Sequence, residues 1–414
     1  MKPRTREQLQ EILRKQIAGC VKCGACHAFC PLYQEARAEG AGMRGKLALV
    51  QAGEAGRGLP KDGLVECLEF CLDCFNCKAS CTNGVDTPLV TRLAALLADP
   101  RRFDAWTRAC DQDLSWSENP WSEKTGSDTN YSEKSGSAPD KSARKLAEKS
   151  LSYPNDVGNS GGDFSRFSCK FSWTKLTKLT NWTYWTKWTK DALQFVGIDA
   201  AVAGNDRRFP YPPAHHEHDL ALSTLWARAV METQGPAEKR GVLETLNNNV
   251  EKIVVPPAGM FHLRMLKALF EMSFEEEAAG EKIVDFAELL ASAAWEAPHR
   301  LAGIYAFHDP CVTLRDRGEK SAARRVLKRL LENPVCEVSS EGKCCGAATR
   351  VRDLSRISAA ANNATKDRWK QFHHAGVDAV ITTCPLCREM LSDSAESADT
   401  PVYLLSEIVC KVFV

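Results

Sequence analysis

The sequence predicts a multidomain chain of mixed α+β and α/β class, helical at its N-terminal end and built on a parallel sheet at its C-terminal end. Three observations predict this. Two four-cysteine runs fall within the first hundred residues, among segments with helical spacing of apolar positions. Residues 301–414 alternate apolar runs and amphipathic stretches in the order β–α–loop–α–β, with cysteines just beyond the apolar runs. Between these ends lies a polar, low-complexity stretch. The expected organisation is therefore a cysteine-rich helical domain over 1–100, linker and insertion over 101–190, a globular segment over 191–300 and a second cysteine-rich domain over 301–414. A chain of 414 residues is long enough for two or three domains.

Bulk properties narrow the function classes. The 54 basic and 53 acidic residues leave a net charge of +1, which argues against nucleic acid as a main partner. The 18 cysteines are grouped as metal ligands are, which points to a reducing compartment. Met1 to Arg6 leads into a charged helical stretch, Glu7 to Gln16, with no apolar signal core, and no run of eighteen apolar residues occurs. The expected location is cytoplasmic, with any membrane attachment peripheral, on the inner face and through partners.

In the N-terminal domain, Leu9, Ile12 and Leu13 form a helical stripe ahead of the first cysteine. Cys20, Cys23, Cys26 and Cys30, followed by Pro31, read C-x2-C-x2-C-x3-C-P, and the spacing returns as Cys71, Cys74, Cys77 and Cys81. Zinc prefers paired C-x2-C knuckles. The spacing resembles that of bacterial ferredoxins, which hold two [4Fe–4S] cubanes. Three thiolates of one tight loop then cap one cube, and the fourth, on the next helical turn, faces the other. That resemblance assigns Cys20, Cys23, Cys26 and Cys81 to one cluster, and Cys71, Cys74, Cys77 and Cys30 to its partner. Thr82 stands where the second run would usually carry proline. Gly40-Ala41-Gly42-Met43-Arg44-Gly45 matches G-x-G-x-x-G, but it follows no strand and opens no βαβ unit, so it is rejected as a dinucleotide site.

Residues 113–172 are rich in Ser, Gly, Asn, Asp and Lys and are expected to be largely linker. Trp173 to Lys190 is six triplets of the form [Trp/Leu]-Thr-[Lys/Asn/Tyr]. A period of three fits neither an α-helical face nor a strand. It is read as a repeat-expanded insertion without function, in preference to a strip docking on a membrane or partner. Phe286, Leu289 and Leu290 predict a helix closing the 191–300 segment.

At the C-terminal end, Ala302 to Phe307 predicts a strand, and Cys311 follows after His308-Asp309-Pro310. An amphipathic helix is expected from Lys320 to Glu332, with Val326, Leu327, Leu330 and Leu331 inward. Cys344-Cys345-Gly346 comes next, then a helix from near Asp353 to Gly376. The apolar strand Val377 to Thr383 delivers Cys384-Pro385-Leu386-Cys387. A parallel sheet would bring Cys311, Cys344, Cys345, Cys384 and Cys387 together beyond the carboxyl ends of its strands. Five sulfurs exceed the need of one cubane or a tetrahedral zinc. Gly346, lacking Cβ, would let the backbone pass close to sulfide.

The pattern C-x(32)-CCG-x(38)-C-x2-C resembles the cysteine-rich CCG domain of heterodisulfide reductase catalytic subunits and of the iron–sulfur subunits of glycolate oxidase, D-lactate dehydrogenase and anaerobic glycerol-3-phosphate dehydrogenase. In that family the complete motif implies a further [4Fe–4S] cluster, non-cubane or sometimes ordinary, and the domain order is a ferredoxin domain followed by two CCG repeats. Gly42-Met43-Arg44-Gly45-Lys46 is similar to the glycolate oxidase type. Against that pattern the first repeat looks degenerate. Phe195-Val196-Gly197-Ile198 resembles a strand end without its cysteine, and Val255-Pro256-Pro257-Ala258-Gly259-Met260 stands where a CCG triplet is expected.

The remaining candidates carry less. Cys67 is read as a packing residue, and Cys110, Cys169, Cys336 and Cys410 as ordinary thiols. His215, His216 and His218 lack a second ligand source, and His308 is either a partner that orients a thiolate or a turn residue. No hydrolytic triad, paired carboxylates or P-loop occurs, so any catalysis must be redox. The resemblance implies an electron-transfer subunit working with a flavoprotein dehydrogenase, a membrane redox subunit or both, and with a quinone or other carrier. Its alternatives are a thiol–disulfide reductase and an assembly protein with a docking platform.

Overall fold

In the computed structural model the described residues are 2–57, 61–111, 180–198, 200–203, 224, 226–228, 230–231, 252–273, 277, 280–338, 343–347, 357–397 and 400–414. The sequence readings made over 113–172, the triplets up to residue 179, Cys169, His215, His216, His218 and the expected helix start at Asp353 lie outside them.

The chain enters through a two-residue strand, β1 (Lys2–Pro3), and the helix Arg6–Ala18. The helix begins where it does because Thr5 and Gln8 form a reciprocal capping box, and it buries Leu9, Leu13 and Ile17. Helix Met43–Glu54 lies between the cysteine runs, and helices Thr87–Ala98 and Pro100–Asp111 follow them. The glycines of the G-x-G-x-x-G match serve packing. A Cβ on Gly42 would lie 2.4 Å from Nε2 of His27, and one on Gly45 would lie 2.1 Å from the carbonyl oxygen of Glu39. No strand precedes them directly among the described residues, so the dinucleotide reading stays rejected.

Two parallel sheets of three strands follow. The first orders β2 (Ala201–Val202), β3 (Ile253–Val254) and β5 (Ile283–Val284) side by side. The second orders β6 (Tyr305–Phe307), β7 (Ala379–Thr382) and β8 (Val402–Leu404) in the same way. β7 is buried at every position, as a central parallel strand covered on both faces must be. In each sheet the middle strand runs into a helix with proline in its first turn: Pro257–Leu269 after β3, and Pro385–Ser392 after β7. In each the last strand runs into a helix, Phe286–Ser292 after β5 and Leu405–Phe413 after β8. β4 (Phe270–Glu271) leaves the first half to pair antiparallel with β1, joining Pro3 to Phe270.

Several sequence expectations hold here. Phe286, Leu289 and Leu290 are buried on one helix, and the amphipathic helix spans Ser321–Leu330 with Val326, Leu327 and Leu330 fully buried. The long helix spans Ser358–His374 and stops before Gly376, whose φ is +62°.

Three expectations need correction. The triplet stretch is not foreign to the fold from Thr180 onward, because Thr180–Phe195 is an α-helix. Its buried face is Trp185, Thr186, Thr189, Ala192 and Leu193, a helical spacing that draws on threonines and on residues after the triplets. It packs against Leu405–Phe413, where the Cys410 thiol points to the carbonyl of Trp188 at 3.8 Å. Phe195 to Ile198 is the end of this helix and a turn, with Gly197 at φ +71°, and the strand comes later at β2. Val255 to Met260 follows a middle strand and opens a helix at Pro257, so it corresponds in place to Thr383 to Arg388 and not to a CCG triplet.

Candidate metal centres

The two N-terminal runs have the same local backbone. Lys22 and Gly24 take positive φ in the first run, at +58° and +83°; Asp73 and Phe75 do so at the matching places in the second, at +46° and +57°. Left-handed residues between cysteines curl the backbone so that successive N–H groups face inward, which makes a concavity for an anion. A phenylalanine held in this region is strained by roughly 1–3 kcal/mol. Its side chain is buried, against Phe261 at a ring separation of 5.3 Å. After each loop comes a single helical turn, Ala25–Ala28 or Asn76–Ala79. Cys30 caps the helix Pro31–Ala36, with proline at its start.

Cys20, Cys23 and Cys26 line one cavity together with Cys77 and Cys81 of the other run. Cys30 faces the second run: burial raises its pKa, the charge of Cys71 adds to this, and Lys46 opposes it. Burial pushes Cys77 up to about 12, with Cys71, Cys30 and Cys26 among its neighbours. Backbone amides already point at sulfur, from Val85 to Cys81 at 3.3 Å and from Asp73 to Cys71 at 3.4 Å. Lys46 is buried, and its ammonium donates to the carbonyl of Phe70. Cys23 is exposed, so the first cavity meets solvent. Cys67 is not among the residues lining that cavity and donates to the Gly40 carbonyl at 3.4 Å.

At the other end, all five expected cysteines line one cavity of about 90 Å³ beyond the carboxyl ends of β6 and β7. Cys311 is delivered by β6 and opens a π-helical turn, Val312–Asp316. Cys384 caps the helix Pro385–Ser392, which carries Cys387 one turn on. Cys344 and Cys345 are held by the long helix, where Thr365 donates its hydroxyl to the Cys345 carbonyl at 2.7 Å. Gly346 has φ +78°, and a Cβ there would meet the Ala361 carbonyl oxygen at 2.6 Å. The absent Cβ therefore admits the helix backbone, and the Gly346 amide lies 3.3 Å from Sγ of Cys344. Cys344, Cys345, Cys384 and Cys387 are buried.

Protons are unevenly held among these thiols. A hydrogen bond from Cys344, aided by the Arg315 guanidinium, lowers Cys311 to about 6. Cys344 is raised by the same hydrogen bond and by burial. Cys387 is raised by its bonds to Cys345 and Cys384. His308 is fully buried, and burial holds its pKa well below the ordinary value. Its Nδ1 accepts from Nε of Arg368 at 3.2 Å, so the neutral ring carries its proton on Nε2. Nε2 has no hydrogen-bond partner among the described residues, and a ring nitrogen of His308 lies within 4.8 Å of the sulfurs of Cys345 and Cys387. An orphaned buried N–H beside thiolates fits an anionic, sulfur-rich group.

Sequence reasoning missed Lys46, Arg315 and Arg368, which put positive charge beside the cysteines. Only the basic residue four places after Cys311 was visible as a signal, and that spacing is equally usual on a helix surface.

Residues 16–85 match the family described as a 4Fe-4S dicluster domain, and residues 305–392 match the cysteine-rich domain family CCG. A fumarate reductase (CoM/CoB) subunit of Methanothermobacter marburgensis is 34% identical over 90 residues, which is 22% of this chain and 18% of that protein. An uncharacterised iron–sulfur protein of Methanocaldococcus jannaschii is 38% identical over 88 residues, 21% of this chain and 17% of that one. The glycolate oxidase iron–sulfur subunit of Escherichia coli is 38% identical over 69 residues, 17% of each chain. Each match thus spans less than a fifth of the relative's own length. The chain thus carries a 4Fe-4S dicluster domain towards one end and a cysteine-rich CCG domain towards the other, and the two together support several [4Fe–4S] clusters as its cofactors.

Proposed function

We propose that this chain is the iron–sulfur electron-transfer subunit of an oxidoreductase complex. It receives electrons from a flavoprotein dehydrogenase acting on a 2-hydroxy acid such as glycolate or lactate, or a similar substrate, and delivers them to a quinone or other carrier. Bound clusters supply one-electron uptake and release. Cys20, Cys23, Cys26 and Cys81 hold one cubane, and Cys71, Cys74, Cys77 and Cys30 hold the second. Cys311, Cys344, Cys345, Cys384 and Cys387 hold a third, non-cubane cluster. The first sheet and its helices are a CCG repeat that has lost its ligands.

The observation that carries this reading is the meeting of the two cysteine sets. Cys74 is buried, and Cys311 is among the charged neighbours that raise its pKa, after burial itself. At the other end of the dicluster domain, Cys23 is exposed. That arrangement supports a relay from an accessible entry to an enclosed end. The chain has no flavin or nicotinamide motif, so substrate oxidation falls to a partner.

The test is iron and acid-labile sulfide per chain with EPR on anaerobic protein, followed by 2-hydroxy acid oxidation with and without a flavoprotein. About twelve irons, three clusters of four, are expected, with turnover only when the flavoprotein is present. About eight irons, or robust oxidation by the chain alone, would sink the reading.

A second reading is a thiol–disulfide reductase acting at the five-cysteine site. It is favoured by the cavity there, which is walled on one side by Pro257, Ala258, Phe261 and His262 and gives room beside the cysteines. Disulfide reduction by the isolated chain supplied with electrons would select it.

A further inference from the structure

We propose that the π-helical turn Val312–Asp316 is the coupling between the dicluster domain and the five-cysteine site, with Arg315 the residue that holds the two at contact and sets their relative potential. This rests on the reading that the C-terminal cysteines hold a cluster. A π turn widens the helix by one residue and is found mostly where function demands it. Here it follows Cys311 directly and turns two consecutive, oppositely charged side chains toward other parts of the molecule.

Arg315 is only 9% exposed. Its Nε donates to the carbonyl of Cys74 at 2.6 Å, and its Nη2 donates to Sγ of Cys311 at 2.8 Å. One planar guanidinium therefore touches a cysteine of each centre. Such a fork is always protonated and has several fixed donors, which lysine cannot reproduce. A buried cation needs anionic company, and a thiolate-bound iron–sulfur centre supplies it.

Asp316 anchors the turn. Its side chain is fully buried, accepting from the Lys78 ammonium at 2.5 Å and from Nε of Arg264 at 2.8 Å. Lys78 follows Cys77 directly, and Arg264 lies on the helix after β3 and pairs with Asp86. The turn thus ties the second cysteine run to both halves of the remaining fold.

The redox step is a transfer of one electron. One centre is oxidised and the other reduced by one equivalent, no bond is made or broken, and a low-potential reductant supplies the electron. A fixed positive charge against Cys311 stabilises the reduced, more negative state of the C-terminal centre. Removing it lowers that centre's potential relative to the dicluster domain.

The experiment is an EPR-monitored redox titration of anaerobic full-length protein, wild type, Arg315→Lys and Arg315→Gln, with iron counted on each sample. In R315Q the equilibrium for placing the electron on the C-terminal centre is expected to fall about tenfold, which is about 59 mV for a one-electron couple. R315K, which keeps the charge with one donor nitrogen, should shift less and in the same direction. Should R315Q retain less iron, R315K carries the comparison. Unshifted potentials in variants with full iron would overturn the proposal. A wild type without a third EPR centre would instead overturn the reading on which it rests, so the two failures are distinct.

Discussion

The two parallel sheets share one strand order, and in both the middle strand feeds a helix begun by proline, yet only one of them presents cysteines. Where the second half has Cys384-Pro385-Leu386-Cys387, the first has Pro256-Pro257-Ala258-Gly259. The place of Cys387 is taken by Gly259, and a Cβ there would lie 2.8 Å from Cη2 of Trp226. Trp226 is buried, edge-on to His262. An indole thus packs against the helix start where the other half turns a thiol toward its cavity. The difference teaches that this α/β unit does not need a cluster to hold its shape. Side-chain packing can fill the site, as the hydrophobic effect and close packing predict.

The largest break in the comparison should come from making the second half like the first. Cys384→Ser with Cys387→Ser is expected to remove one cluster, taking iron from about twelve to about eight per chain. The N-terminal cubane EPR signals should persist, because those cysteines lie in a separate set of loops. Iron and sulfide analysis beside far-UV circular dichroism checks this, and an unchanged iron count would mean that the C-terminal cysteines hold none.

The reverse substitution sharpens the same contrast at lower cost. Gly259→Cys should destabilise the fold by about 1–3 kcal/mol, the usual range for overpacking a filled core, without raising the iron count. Combining it with Trp226→Ala tests the cause, since two residues in contact are non-additive. The double variant should lose less than the sum of the single losses, as read from urea unfolding under anaerobic conditions. Strict additivity would mean that Trp226 is not what occupies the space.

How much of this was legible in sequence depended on how local each constraint is. The cysteine runs state their own spacing, and in the structure Cys20, Cys23 and Cys26 of the first run line one cavity with Cys77 and Cys81 of the second. The first half lacks cysteines to fix its alignment, so Val255 to Met260 reads as the wrong motif, although Pro257 is a usable helix-start signal. The helix over Thr180–Phe195 is hidden because the eye follows its tryptophans at every third residue. The buried face instead joins Trp185 to Thr189, Ala192 and Leu193. Arg315 is hidden for a different reason. Its partner Cys74 is 241 positions away, and no periodicity reports a contact of that range.

The smallest expected effect concerns how each half ends its sheet. After β5 the helix Phe286–Ser292 has a complete cap: the Asp285 carboxylate accepts from the Glu288 amide at 2.9 Å, and the Glu288 carboxylate accepts from the Asp285 amide at 3.0 Å. Arg317 adds a contact to Asp285 at 3.3 Å. After β8 only one side of this box exists, the Glu407 carboxylate accepting from the Leu404 amide at 2.7 Å, because a leucine side chain accepts nothing. Asp285→Ala should therefore cost about 1–2 kcal/mol, the range for losing an N-cap side chain. Glu407→Ala, which removes a single neutral-donor bond, should cost about 1 kcal/mol or less. Thermal unfolding of the iron-loaded variants, compared at equal cluster content, reads the difference. Equal losses would mean that the first half is held by the surfaces packed around it, and that its cap, like its cysteine positions, is dispensable to the fold.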